Sequence, residues 1–495
     1  MTFDASARCR SARPLVRAML LALAALPAVA MAEDLLTVWQ AAAQHDRALN
    51  VARAEHAAGQ ALREQAAALW RPTVSLGLGA GLGAQHTRME GAHFSAPGMG
   101  AANGVDFGLD VHSGLATRAA LEARQPIFNR SRDAARAQLE LGAEMTDSIW
   151  REARQQQVLR TADGYFNLAL ADERVRLGER HAEAVARSRT EAHERFELGD
   201  VPVTDTHEAD AALASVRARL EAARLQQALA RQALADGTGL AAPRAQLPGQ
   251  MAAAAGSLQD WLDAAMAQNL RVRLAEQGVA LAEHEARKRR AASGVTVDLV
   301  GQASFDRVGG TGGHAATSRS HGSLVSVQVN IPIYDGGMAG AQASEGARRI
   351  EKAHAQLELA REQVAEQVRA SWLGWQAGEA RLLALQDGLK ASAARLDATR
   401  VGRAVGDRTL MDVFQAENDH AAAALGLAEA CVGQVLNRLR LAALADRLDD
   451  GVMAEANASL MSDKPVASGA AEDRGATRPR ASVSPTASRT RRGAQ

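Results

Sequence analysis

From residue 34 onward the apolar positions follow two alternating rhythms. Over 34–70 and 257–292, Ala, Leu and Val recur at spacings of three and four, which predicts helices. The rhythm then changes to two. Val74, Leu76, Leu78, Ala80 and Leu82 alternate with Thr73, Ser75, Gly77 and Gly79, a strand with one apolar face. In the second half Val325, Val327, Val329 and Ile331 alternate with Ser326, Gln328 and Asn330. Residues 130–197 and 338–404 contain no proline and predict helices. At 1.5 Å per residue, the first would extend ~100 Å. Gly199-Asp200-Val201-Pro202 and Gly406-Asp407 stop them, and helices resume near 204–235 and 410–445.

These stretches come in two matched sets. Leu36, Trp39 and Ala42 correspond to Leu258, Trp261 and Ala264. Gln125-Pro126-Ile127-Phe128-Asn129 corresponds to Ile331-Pro332-Ile333-Tyr334-Asp335, and Tyr165 to Trp372. Gly199 with Val203-Thr204-Asp205 corresponds to Gly406 with Leu410-Met411-Asp412, and from Pro126 onward the offset is 206 to 207. The expected organisation is a first repeat over 33–240, with a β-hairpin at 72–126 and a turn at 199–205. A second repeat over 257–447 has its hairpin at 295–332 and its turn at 406–412. The Gly/His/Ser-rich stretches 83–113 and 306–322 read as loops between strands of roughly ten residues, a membrane-barrel length. Trp70, Phe128 and Tyr334 stand beside the strand–helix junctions, where aromatic rings favour the membrane–water interface. Four strands cannot close a barrel, which needs about eight, so copies of the chain must share one. Two copies would supply eight strands and three would supply twelve.

Composition narrows the class. Aromatic residues are only 3% and charged residues 23% of 495, which suits long, closely packed helices better than a large globular core. The net charge is zero, so no nucleic-acid partner is implied. Arg8, Arg10, Arg13 and Arg17, the apolar run Ala18 to Ala30 and the small-residue site Ala30-Met31-Ala32 predict a cleaved signal peptide over 1–32. No later run of 18 apolar residues predicts a membrane helix. Cys9 precedes the apolar run and cannot be a lipid-bearing N-terminus, which leaves Cys431 alone and reads as a small buried apolar residue. His86, His93, His112, His314 and His321 lack metal-ligand spacing and read as exposed loop residues. No nucleophile elbow, phosphate loop or paired-carboxylate motif stands out, so neither an enzyme nor a cofactor is expected. The Ala/Ser/Pro/Arg-rich tail 449–495 reads as disordered.

The duplicated helix–strand–loop–strand–long-helix order resembles the TolC family of outer-membrane efflux and secretion channels. So do Gln125-Pro126-Ile127-Phe128, Ile331-Pro332-Ile333-Tyr334-Asp335-Gly336-Gly337 and the two Gly-to-Asp segments. The resemblance covers about 34–447. It implies a mixed, mainly α fold: a homotrimer sharing a twelve-stranded β-barrel in outer-membrane lipid, four strands per chain, above a long periplasmic α-helical barrel. It also implies a periplasmic adaptor and an inner-membrane ABC or RND-type transporter as partners. Ser326, Gln328 and Asn330 would line the lumen. The family pattern places a gating aspartate ring at Asp412 and a gate arginine at Arg408, with Thr204 and Asp205 as partners from the first half. Two positions depart from it: a second aspartate is replaced by Gln415, and a tyrosine by Arg403. The implied cargo is a secreted protein, as in type I secretion of RTX toxins of the adenylate cyclase–haemolysin kind, or small toxic compounds. The alternative is a periplasmic coiled-coil adaptor or scaffold.

Overall fold

The structure, a computed structural model, describes residues 34–98, 100–249, 256–310 and 317–460. The expected signal peptide, His314 and the tail beyond Leu460 lie outside the described residues. The chain runs α1 (Leu35–His45), α2 (Arg47–Ala68), β1 (Thr73–Ala96), β2 (Gly100–Asn129), α3 (Arg130–Glu197) and α4 (Val203–Thr238). It then repeats this order with α5 (Leu258–Gln268), α6 (Leu270–Ala292), β3 (Thr296–Gly310), β4 (Thr317–Asn330), α7 (Met338–Ala404) and α8 (Leu410–Leu444), and ends in α9 (Asp450–Ala458). Among the described residues no helix is long and apolar enough to cross a membrane.

Capping residues divide the shorter helical stretches. Asp46 ends α1 and caps α2 by accepting from the Leu49 amide at 3.0 Å, and Arg160 of α3 pairs with it at 2.8 Å. Asn269 does the same between α5 and α6, accepting from the Arg271 amide at 2.9 Å and donating to the Leu444 carbonyl at 2.8 Å. A short polar side chain competes with the helix for backbone groups, which is why both breaks fall on such a residue. The long helices α3 and α7, 68 and 67 residues, lack such interruptions. Each folds back on α4 or α8 at a tight turn. Near the sheet, α2 and α3 approach closely because position 59 is glycine; a Cβ there would collide with Thr146.

Among the described residues, three apolar clusters hold the helices together. At mid-height Leu35 and Val38 of α1, Tyr165 and Phe166 of α3, Leu234 of α4, Leu439 of α8 and Met453 of α9 pack together. Trp261, Val272, Val368, Trp375 and Leu441 form the counterpart in the second repeat. Two guanidiniums, of Arg438 and Arg447, each stand 5.5 Å from the centre of the Trp261 ring. The third cluster lies beside the turns, where Leu410 and Phe414 of α8 insert between Val185 and Ala192 of α3 and Ala209, Leu213 and Val216 of α4. Burying one such side chain stabilises by about 1.5–3 kcal/mol.

Two expectations need correction. The stretch 83–113 is not a loop: β1 continues to Ala96 and β2 begins at Gly100. β3 ends at Gly310, opposite Gly114, so above that level β1 and β2 form a two-stranded ribbon with register shifts at Gly83/Gln85 and Met89/Ala92. Likewise β3 and β4 take up most of 306–322. The β1–β2 backbone ladder continues through the ribbon, where Val111 is buried. The segment from 449 is not wholly irregular either. Asp449 caps α9 by accepting from the Val452 amide at 3.0 Å, and Met453 and Ala456 are buried.

Candidate functional site

The four strands form one antiparallel sheet in the order β1-β2-β3-β4, so β1 and β4 are free edges and β2–β3 joins the two repeats. Its register sorts side chains by chemistry. Val74, Ala123, Gly301 and Val325 share one rung, and residues an even number away share their face. That face carries Val74 to Leu82 on β1, Leu115 to Ala123 on β2, Val297 to Phe305 on β3 and Val325 to Val329 on β4. The apolar band slides toward the helices from β1 to β4, the stagger that tilted strands need to keep it level. Leu78 and Val325 are each 75% exposed, too much apolar surface to leave in water.

The opposite face is polar. Arg118 of β2 reaches Asp306 of β3 at 3.6 Å, and Arg124 reaches Asp298 at 3.3 Å and Glu122 at 3.1 Å. Ser326, Gln328 and Asn330 lie on this face, and Gln328 stands opposite Asp298. On β3 the polar-face residues Gln302, Ser304 and Asp306 are half-buried, whereas Ala303, Phe305 and Arg307 are exposed. The sheet therefore curves with its charged face concave. The ion-paired rungs escape a reading of the sequence because their partners lie in different repeats. Arg118, Glu122 and Arg124 do fall at even spacings within β2, and that is the signal that could have found them.

At the far end of the helices lie the two turns. After α3, Gly199 adopts φ 82°, with bonds from the Asp200 amide to the Arg195 carbonyl (2.8 Å) and from the Gly199 amide to Phe196 (2.9 Å). After α7, Gly406 adopts φ 88°, with Asp407 to Gly402 (2.8 Å) and Gly406 to Arg403 (3.1 Å). Both are glycine-terminated helix ends in which left-handed backbone closes the last turn. Asp412 then joins a capping box: its Oδ2 accepts from the Thr409 amide at 2.9 Å, and its own amide donates to the Thr409 hydroxyl at 3.2 Å. The Thr409 amide and hydroxyl hold the Asp412 carboxyl below the usual range, with Arg408 and Arg395 adding to the effect. Arg408 is exposed, its stem lying over Gly402. Arg403 comes within 3.9 Å of Asp205, joining the two turns, and Thr204 is exposed beside that pair. Gln415 donates to Asp419 at 2.7 Å, and Arg395 neutralises Asp419 at 2.8 Å.

Of the histidines, His86 bonds Asp110 and His93 bonds Asn103 across the ribbon. The described residues hold no group of three His, Cys, Asp or Glu placed to bind a metal. Cys431 is half-buried in α8, and burial pushes its thiol up.

The family model for outer membrane efflux proteins matches residues 38–240 and 261–446. The chain belongs to this family. Outer membrane protein TolC of Escherichia coli (strain K12) is 26% identical over 465 residues, covering 90% of this chain and 88% of TolC. The alkaline protease secretion protein AprF of Pseudomonas aeruginosa is 24% identical over 307 residues, covering 60% and 63%. Among solved structures the chain is similar to the CusC channel, with TM-score 0.68 at 17% identity over 84% of this chain and 92% of CusC. It is also similar to VceC of Vibrio cholerae, with TM-score 0.64 at 17% identity over 84% and 97%. The chain is thus an outer-membrane exit duct for efflux or secretion, with a periplasmic helical part, and the adaptor alternative is not favoured. The members of this family are channels, not enzymes.

Proposed function

We propose that three copies join their free β1 and β4 edges into a twelve-stranded barrel, and that the duct passes a secreted protein to the exterior. One observation carries the first part: the sheet has a face with an exposed apolar band, a charged face and two unpaired edges. In lipid such edges are intolerable, so closure has to come from further copies. Ser326, Gln328, Asn330 and the rungs of Arg118 and Arg124 then line the lumen. The helical barrel meets a periplasmic adaptor and an inner-membrane ABC or RND-type transporter at the turns. Protein cargo is supported by the similarity to AprF and to the proteases secretion protein PrtF of Dickeya chrysanthemi.

The gate of this duct lies at the turns. Asp412 keeps Oδ1 clear of its cap and presents it to the opening, Arg408 supplies the facing charge, and Arg403–Asp205 with Thr204 ties neighbouring turns. The negative charge missing at Gln415 sits one turn deeper at Asp419, already neutralised.

The barrel is tested by detergent extraction and unheated electrophoresis, where a heat-modifiable trimer is expected and a detergent-free monomer would refute it. Planar-bilayer recordings test the gate: unchanged conductance and cation preference in Asp412→Ala and Arg408→Ser would reject it. Deleting the gene tests the cargo. Loss of a secreted protein is expected, and loss of tolerance to small toxic compounds alone would overturn the protein-cargo reading.

A further inference from the structure

The outward face of the β3–β4 hairpin ends in a charge arrangement that the duct itself does not need. Arg307 of β3 and Arg319 of β4 stand directly opposite each other in the register. They lie two rungs beyond the pair Phe305 and His321, the next position on the same face, where the apolar run of β3 stops. Both arginines are exposed, and neither forms an ion pair within the described residues. Like charges directly across a strand pair destabilise it. The contrast with Arg118 and Arg124 is chemical: those two point to the concave face, and each meets an aspartate. On the convex face, β3 carries Val297, Leu299, Gly301, Ala303, Phe305, Arg307 and Gly309, and β4 carries Thr317, Arg319, His321, Ser323, Val325, Val327 and Val329. No carboxylate occurs on that face of either strand, because Asp298 and Asp306 both turn inward. Among the described residues, neither arginine has a counter-ion.

We infer that Arg307 and Arg319 bind the phosphate groups of the phosphorylated glycolipid in the outer leaflet. The position fits the chemistry. Phe305 ends the apolar run of β3, as a ring at the headgroup level would, and the guanidiniums follow it along the strand pair. Two planar donor forks side by side suit phosphate oxygens better than two ammonium groups would. His321, two rungs lower on the same face, adds a third nitrogen-bearing side chain at the boundary. Bound lipid removes the repulsion between the arginines and anchors the rim of the barrel at a fixed depth.

The inference rests on the proposed barrel, because only there does the convex face meet lipid. The test uses the purified full-length oligomer in detergent, titrated with lipid A carrying its phosphates and with the same lipid enzymatically stripped of them. Native mass spectrometry reads the bound lipid. Wild type is expected to retain phosphorylated lipid A, one per protomer, and to lose it about 30-fold in R307Q/R319Q. R307K/R319K is expected to keep binding but more weakly. Equal binding of the stripped lipid, or undiminished binding in the double glutamine variant, overturns the inference. So does failure of wild type to bind while it still runs as a trimer and conducts. A wild type that neither trimerises nor conducts refutes the barrel instead. Conductance of R307Q/R319Q should match wild type, since neither residue faces the lumen.

Discussion

The two turns at the helical tips share a length, a glycine and a left-handed closing residue, yet their aspartates have different partners. In the first, α4 is preceded by Pro202, which offers no side-chain cap, and Asp205 is left to reach across to Arg403. In the second, Thr409 and Asp412 satisfy each other within one capping box. Duplication supplied the same carboxylate twice; the residue before each helix decided where it points. One turn is therefore self-contained and the other depends on its neighbour. A tip built this way can hold shape on one side while a single ion pair governs contact on the other.

Removing the packing shared by both turns should have the largest effect. Phe414→Ala empties the cluster that joins α8 to α3 and α4, and should cost about 3–5 kcal/mol in denaturant unfolding followed by helical circular dichroism. Next come Gly199→Ala and Gly406→Ala. A Cβ meets no neighbour at either site, so only the left-handed backbone resists it, at roughly 1–2 kcal/mol each. Unequal costs would break the equivalence of the two helix ends. Thr409→Ala should lose about 1 kcal/mol and Pro202→Ala almost nothing; equal losses would erase the contrast in capping. Asp205→Asn breaks a partly exposed pair worth at most about 1 kcal/mol, so its readout is conductance, which should rise while the melting profile barely moves.

The smallest effect concerns acid. Asp412 titrates below its ordinary range because Thr409 favours the charged form. A lowered folded value means that the stabilisation is complete above the unfolded value, about 4, and fades as pH falls through the folded one. Thr409→Ala should flatten this loss in acid melts, and an unchanged acid profile would remove Asp412 from the cap.

Much of the architecture is readable because long-range order is written in rare residues. Gln125-Pro126, Ile331-Pro332, Gly199 and Gly406 keep their sequence across both halves, and Val74 to Leu82 alternates because one face meets an apolar medium. The ribbon above Gly83 is obscured by its Gly- and His-rich composition, although Val105, Phe107, Leu109 and Val111 alternate with Asp106, Gly108 and Asp110 along β2. Helix α9 was hidden by its length: Met453 and Ala456 are too few to stand out from a small-residue tail. At the turns the positions of Arg408, Arg403, Asp412 and Asp205 were legible, but their partners were not. Whether a carboxylate caps its own helix or crosses to another depends on rotamers and spacing that no linear pattern records. The Arg118–Asp306 rung needed the β2–β3 register, a pairing between repeats.

At mid-height the ends of the described chain meet. Asn457 donates to Asp34 at 3.3 Å and accepts from the Leu36 amide at 3.4 Å, while the Gly249 amide donates to Ser459 at 2.6 Å. The described chain, 34–460, is in effect a closed ring with one cut, and the cut falls where neither the barrel nor the turns would notice it. Which repeat comes first is then a matter of convention. A chain rejoined there by a short linker and reopened at Pro97–Gly98, on the ribbon's tip, has the same contacts to make, so this duct has an architecture but no topological beginning.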